Sequence, residues 1–216
     1  MDQKFWLERW ENKNLGFNQE KTNSFLMNFF PELSLSPNSS ILVPLCGKSI
    51  DLLWPLKQGF QVTGVELSPI AIQDFFKEQN ISYTKKNVGP YISWQANNHK
   101  LRILEGDFFN ILSLGDSFAG IYDRASLVAL PQSMRQNYYG ILKALKASVF
   151  LITIEYEQKK VDGPPFSISE KEILESLKED FNILIRHSEK SEAVSPRFLE
   201  KGVKDVLQKV YLLKKL

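Results

Sequence analysis

A chain of 216 residues that is 43% hydrophobic is most simply one domain with a full core, and a net charge of +2 gives no electrostatic case for nucleic acid or an anionic membrane. The C-terminal lysines Lys209, Lys214 and Lys215 read as a solvated face, and a single cysteine, Cys46, excludes an intrachain disulfide and a cysteine-rich metal site. The N-terminus MDQKFWLERWENK lacks the apolar core of a secretory signal, and no apolar run reaches the ~18 residues of a membrane span, so a cytoplasmic globule of enzyme size is expected.

Along the chain, Phe5 to Trp10 places Trp6 and Trp10 on one face of a helix. A second helix is expected over Lys21 to Phe30, closed by Pro31, and Leu33 to Ser40 is a Ser/Pro/Asn-rich loop. Ile41 to Pro44 is a buried strand. Ser49 caps a helix to Lys57 that Pro55 shortens or kinks and Gly59 stops, and Phe60 to Glu66 is a second strand. Ser68 and Pro69 are a cap and first position for a helix to Glu78. Tyr91 to Gln95 and Lys100 to Leu104 read as a hairpin across Asn97-Asn98. Phe118 to Asp123 is a strand, Met134 to Leu145 an amphipathic helix, and Ser148 to Tyr156 a long strand. Ser169 to Glu172 is a capping box opening a helix to Lys178. Phe181 to His187 and Val206 to Leu213 pair antiparallel. The alternation implies an α/β fold, a doubly wound, mostly parallel sheet with helices on both faces.

Ile41 to Glu66 is thus half of a nucleotide-binding unit, but its turn is short of glycine. Gly47-Lys48-Ser49 has the end of a P-loop, yet the position that needs the first glycine is Leu42, inside the strand. The dinucleotide pattern fails too, because Gly47 is its sole glycine, so nucleoside triphosphates, NAD and FAD are disfavoured. Glu66 nevertheless stands about 20 residues past the turn, where a carboxylate accepts from both ribose hydroxyls. The bland alternative is a surface glutamate ending a strand. Asp107, followed by Phe108 and Phe109, suits an adenine amino group and ring, or else is a turn aspartate before core aromatics. Asp123-Arg124 ends a strand at the edge where ligands bind in such sheets. Ribose and adenine contacts without a phosphate loop suggest S-adenosyl-L-methionine, whose sulfonium and amino-acid tail need no polyphosphate cradle. Cys46 is not required as a nucleophile by such chemistry, and His99 and His187 read as surface residues, so no metal is expected.

The segments FWLERWENKNLGFNQE, LVPLCGKSIDLLW, GVELSPIAI, GDFF, YDRASLVALP and GPPFSIS, in that order, resemble the bacterial thiopurine S-methyltransferase family. The resemblance implies a class I, Rossmann-like fold of seven strands with the last antiparallel, one domain over residues 1–216, and residues 1–33 as a helical lid over the cofactor. It implies S-adenosyl-L-methionine as cofactor and S-adenosyl-L-homocysteine as product, held by Trp10, Leu45, Glu66, Asp107, Phe108 and Arg124. Phe17 matches a position lining the acceptor pocket, and Arg197 resembles a substrate-side arginine. Asn18 stands where family members commonly have histidine, so a proton-handling role is not carried over.

The expected reaction is in-line displacement at the sulfonium methyl by an acceptor sulfur. A thiolate and a sulfonium neutralise each other as the bond forms, so a dry pocket and good alignment favour it. Arg124, and with it Arg197, would favour the acceptor anion. The acceptor is a thiopurine or a similar aromatic or heterocyclic thiol. The alternatives are a selenium or tellurium compound, another small-molecule acceptor, or a cofactor-binding domain without turnover. A monomer is expected, since no unexplained apolar helix remains.

Overall fold

In the computed structural model, which describes residues 3–14, 18–191 and 195–216, the chain divides into two units between Tyr122 and Asp123. The first unit opens with α1 (Gln3–Glu11), which buries Trp10, and α2 (Ser24–Phe29). Asn23 fixes where α2 starts. Its side-chain oxygen accepts from the Phe25 and Leu26 amides at 3.0 and 3.3 Å, satisfying donors that a helix start leaves open. That cap sets the start later than Lys21. Pro31 lies inside a 3-10 turn, Phe30–Leu33, that prolongs the helix.

Then follow β1 (Ser40–Val43), α3 (Leu53–Lys57), β2 (Gln61–Glu66), α4 (Pro69–Glu78), β3 (Tyr83–Val88), β4 (Tyr91–Ala96), β5 (Leu101–Glu105) and β6 (Gly120–Arg124), which runs across the boundary. Ser49 caps a 3-10 turn, Ile50–Leu52, rather than an α-helix, and α3 is only five residues long around Pro55. Ser68 and Pro69 open α4 where the local chemistry requires. The strand order is β3-β4-β5-β2-β1-β6. β1 runs parallel to β2 and β6, and β2 parallel to β5 in a register that sets Glu66 opposite Glu105. Ile41, Leu42, Val62, Val65, Ile103 and Leu104 are buried along these strands, each burial worth about 1.5–3 kcal/mol.

The expected hairpin is present as β4 and β5. β3 was not anticipated. Its YTKKNV sequence shows no alternation, with four exposed residues in its middle, and it forms by pairing along β4. Tyr83 anchors it against Phe76 and Trp94, with ring centroids 4.8 Å away in each case.

The second unit holds α5 (Gln132–Leu145), β7 (Ser148–Glu155), α6 (Glu170–Leu177), β8 (Phe181–Lys190), α7 (Pro196–Glu200) and β9 (Leu207–Lys215), in the order β7-β9-β8. β9 is antiparallel to both neighbours. Only half of the capping box at α6 is made. Ser169 Oγ accepts the Glu172 amide at 3.1 Å, but the Glu172 carboxylate turns to Arg135 and Tyr139. Nine strands among the described residues replace the expected seven, because β3 and β4 extend the edge beside β5. No helix among the described residues is long and apolar enough to cross a membrane.

Candidate functional site

At the C-terminal end of β1 the chain turns through Pro44, Leu45, Cys46 and Gly47. Leu45 and Gly47 both lie in the left-handed region, with φ of +45° and +52°. For leucine that conformation costs about 1–2 kcal/mol, a strain of the kind that clusters at functional sites. The turn's amides face inward. Cys46 N–H donates to Val65 O at 2.9 Å, and Gly47 N–H donates to Glu66 Oε2 at 2.8 Å. In a P-loop such amides would cradle a phosphate. Here they bind β2, and Lys48 pairs with Glu78 at 2.5 Å.

Glu66 ends β2 and is 6% exposed. Its Oε1 accepts the Ser68 amide at 2.8 Å while Oε2 accepts that of Gly47. A carboxylate has about four acceptor positions, so about two remain for a diol. Burial pushes the Glu66 carboxyl above its ordinary value, and the backbone N–H groups of Ser68, Gly47 and Leu67 pull it back. Cys46 is buried too. Burial first, then the Glu66 charge, raises its thiol well above the usual range.

Glu66 O accepts the Gly106 amide at 2.9 Å, which brings the next turn alongside. Gly106 is required there, since a Cβ would lie 2.6 Å from the Tyr91 ring. Asp107 follows. Its Oδ1 accepts the Phe109 amide at 2.9 Å, capping the 3-10 turn Phe108–Leu114, and its main-chain O accepts the Tyr91 hydroxyl at 2.8 Å. Oδ2 accepts from Gln3 Nε2 at 2.8 Å. Phe108 is buried and meets Phe109 edge-to-face at 6.1 Å. The first unit therefore brings together Leu45, Glu66, Asp107, Phe108 and the helix that carries Trp10, which is 3% exposed. Phe17 lies outside the described residues, and Asn18 is exposed. The Gln3 contact had no signal in the sequence, since it joins residues 104 apart.

In the second unit, Arg124 closes β6 and is half-buried beside Asp123, which is fully buried. Asp123 Oδ1 accepts the Leu127 amide at 3.1 Å and Oδ2 accepts the Tyr138 hydroxyl at 2.8 Å, so it shapes the loop after Arg124. Burial outweighs these bonds and raises the Asp123 carboxyl from 3.8 to about 6. The folded form therefore holds its proton more tightly than the unfolded chain. The contribution to stability is full below pH 3.8, falls as pH rises, and is gone above about 6. Asp123→Asn is expected to remove this decline, at most about 1.4 kcal/mol per pH unit, from urea titrations taken between pH 4 and 7. Identical slopes for the two proteins would contradict the assignment. Arg197 is exposed on α7 and donates to the main-chain oxygens of Pro164 and Asp162.

Over residues 1–216 the chain matches the family described as thiopurine S-methyltransferase (TPMT). It is 37% identical to a thiopurine S-methyltransferase from Pseudomonas putida over 224 residues, covering 100% of both chains. It is 35% identical to one from Shewanella baltica over 219 residues, again 100% of both. Among solved structures, the magnesium protoporphyrin IX methyltransferase of Synechocystis, with bound S-adenosylhomocysteine, superposes with a TM-score of 0.62 at 12% identity, covering 98% of this chain and 99% of that one. The class I methyltransferase fold, the inward-turned glycine-poor turn and the full-length matches agree, and the chain belongs to the thiopurine S-methyltransferase family.

Proposed function

We propose that the chain moves the methyl group of S-adenosyl-L-methionine to the sulfur of a thiopurine or a similar heterocyclic thiol, leaving S-adenosyl-L-homocysteine. The observation that carries the reading is the Glu66 carboxylate, held by the amide of the same turn that would otherwise receive a phosphate. The residues fit the cofactor. Glu66 keeps acceptor positions for the ribose diol, Asp107 supplies an acceptor for the adenine amino group, and Phe108 an apolar ring face. Leu45, Trp10 and Arg124 complete the set by family resemblance. The cofactor supplies an electrophilic methyl on a sulfonium.

The chain's own contribution is alignment, exclusion of water and support of an acceptor anion. Residues 1–33 act as the helical lid, with Trp10 as its buried anchor. Phe17 and Arg197 serve the acceptor side, Arg197 by holding the Asp162–Pro164 loop. Arg124 lowers the pKa of the acceptor thiol. Replacing it with alanine is expected to move the acid limb of the pH–rate profile up by about 1–3 units. An unchanged profile with intact cofactor affinity would deny Arg124 that role. The protein works as a cytoplasmic monomer.

The direct test is transfer of radiolabelled methyl from S-adenosyl-L-methionine. Label in the thiopurine supports the proposal. Label only in selenium or tellurium acceptors, or cofactor binding with no transfer to any acceptor, overturns it.

A further inference from the structure

Asp51 is fully buried, and its carboxylate joins two distant parts of the first unit. Oδ1 accepts the Asn23 amide at 2.8 Å, and Oδ2 accepts the Tyr122 hydroxyl at 2.8 Å. The Asp51 amide donates to Ser49 Oγ at 3.2 Å, and the Ser49 amide donates to Cys46 O at 3.1 Å. A continuous path of bonds therefore runs from β6, through Asp51 and Ser49, to the turn that holds Glu66. A branch of it reaches the residue that caps α2.

Burying a carboxylate is costly, and such a group persists where its bonds fix a geometry. The geometry fixed here has two sides. Asn23 uses its side chain to cap α2, while its own amide lies ahead of the helix and has no helical carbonyl to meet. Asp51 supplies that acceptor. On the other side, Tyr122 stands on β6, whose pairing with β1 sets where the Pro44–Gly47 turn begins.

We infer that Asp51 is a positioning residue for the methyl-transfer site. It seats the Pro44–Gly47 turn against the start of α2, and so governs how Glu66 and Leu45 are presented to the cofactor. This rests on the function proposed above. It assigns to Asp51 an effect on cofactor affinity that reaches the cofactor through the turn and Glu66.

Three variants separate geometry from charge. Asp51→Ala removes both acceptors. Asp51→Asn keeps Oδ1 for the Asn23 amide and offers an NH2 to the phenolic oxygen of Tyr122, which reverses its role. Tyr122→Phe releases one end. The measurements are S-adenosylhomocysteine titration calorimetry and amide exchange at Asn23. Asp51→Ala is expected to weaken binding at least about tenfold and to speed Asn23 exchange by a similar factor, while Asp51→Asn stays within about threefold of the unaltered chain.

A folded Asp51→Ala with unaltered affinity overturns the inference. So does an Asp51→Asn variant as weak as Asp51→Ala, because the charge and not the geometry would then matter. Should Asp51→Ala fail to fold, Tyr122→Phe decides. An affinity loss of about threefold supports the inference, and no change in affinity or Asn23 exchange overturns it. If the unaltered chain binds no S-adenosylhomocysteine, the proposed function fails, and Asn23 exchange alone judges whether Asp51 holds the start of α2.

Discussion

Glu66→Ala is expected to weaken S-adenosylhomocysteine binding by about 2–4 kcal/mol, the loss of two charge-assisted bonds to a diol. Two effects of the substitution oppose each other in the free protein. The Gly47 and Ser68 amides lose their acceptor, while a carboxylate whose burial is unfavourable disappears. Stability should therefore change less than affinity. Glu66→Gln sharpens the test. It keeps an acceptor oxygen for one amide but sets an NH2 against the other, and it holds one ribose hydroxyl at most. Its affinity should fall between those of the alanine variant and the unaltered chain. Affinity should also decline on acidification earlier than an ordinary glutamate would require, because burial raises the carboxyl. Titration calorimetry with a loss under about 0.5 kcal/mol for the alanine variant would remove Glu66 from the ribose site.

What the sequence made legible was local chemistry. Ser68 and Pro69 start α4 at the expected residue because a cap and a proline act within one turn. Glu66 ends β2 as its spacing from Gly47 implied. What stayed hidden depended on distant partners. β3 has no period of its own and exists because β4 offers it a ladder. Asp107 was open between an adenine acid and a turn aspartate. It caps the 3-10 turn with one oxygen, and its second oxygen accepts from Gln3. The Asp51–Tyr122 bond spans 71 residues, and no spacing rule reaches so far. Glu172 shows the same limit in reverse. Its position promised a reciprocal capping box, and tertiary contacts claimed the carboxylate instead.

Those contacts make Glu172→Ala the most damaging change expected in the second unit. Arg135 Nη1 donates to both Glu172 oxygens at 3.0 and 2.8 Å, its Nε donates to Leu130 O at 3.0 Å, and the Tyr139 hydroxyl donates to Glu172 Oε1 at 2.9 Å. The two partners are unequal. The Arg135 side chain is 6% exposed and that of Glu172 is 25% exposed. Removing the carboxylate leaves a buried guanidinium without its counter-charge, at a cost of about 3–5 kcal/mol in chemical unfolding. Arg135→Met is expected to cost less, because the remaining carboxylate can take water and keeps Tyr139 as a donor. Arg135 also lies over the Phe166 ring, 5.7 Å from its centroid, and the Phe166 amide donates to Val128 O at 2.6 Å. Arg135 thus packs the loop that contains Gly163-Pro164-Pro165 against α5, and the Phe166 amide ties that loop to the segment after Arg124. Combining Arg135→Met with Glu172→Leu should recover most of the loss, since an apolar pair of similar volume carries no desolvation penalty. A Glu172→Ala loss below about 1 kcal/mol, or a double variant no more stable than Glu172→Ala, would mean that the unpaired guanidinium does not set the cost.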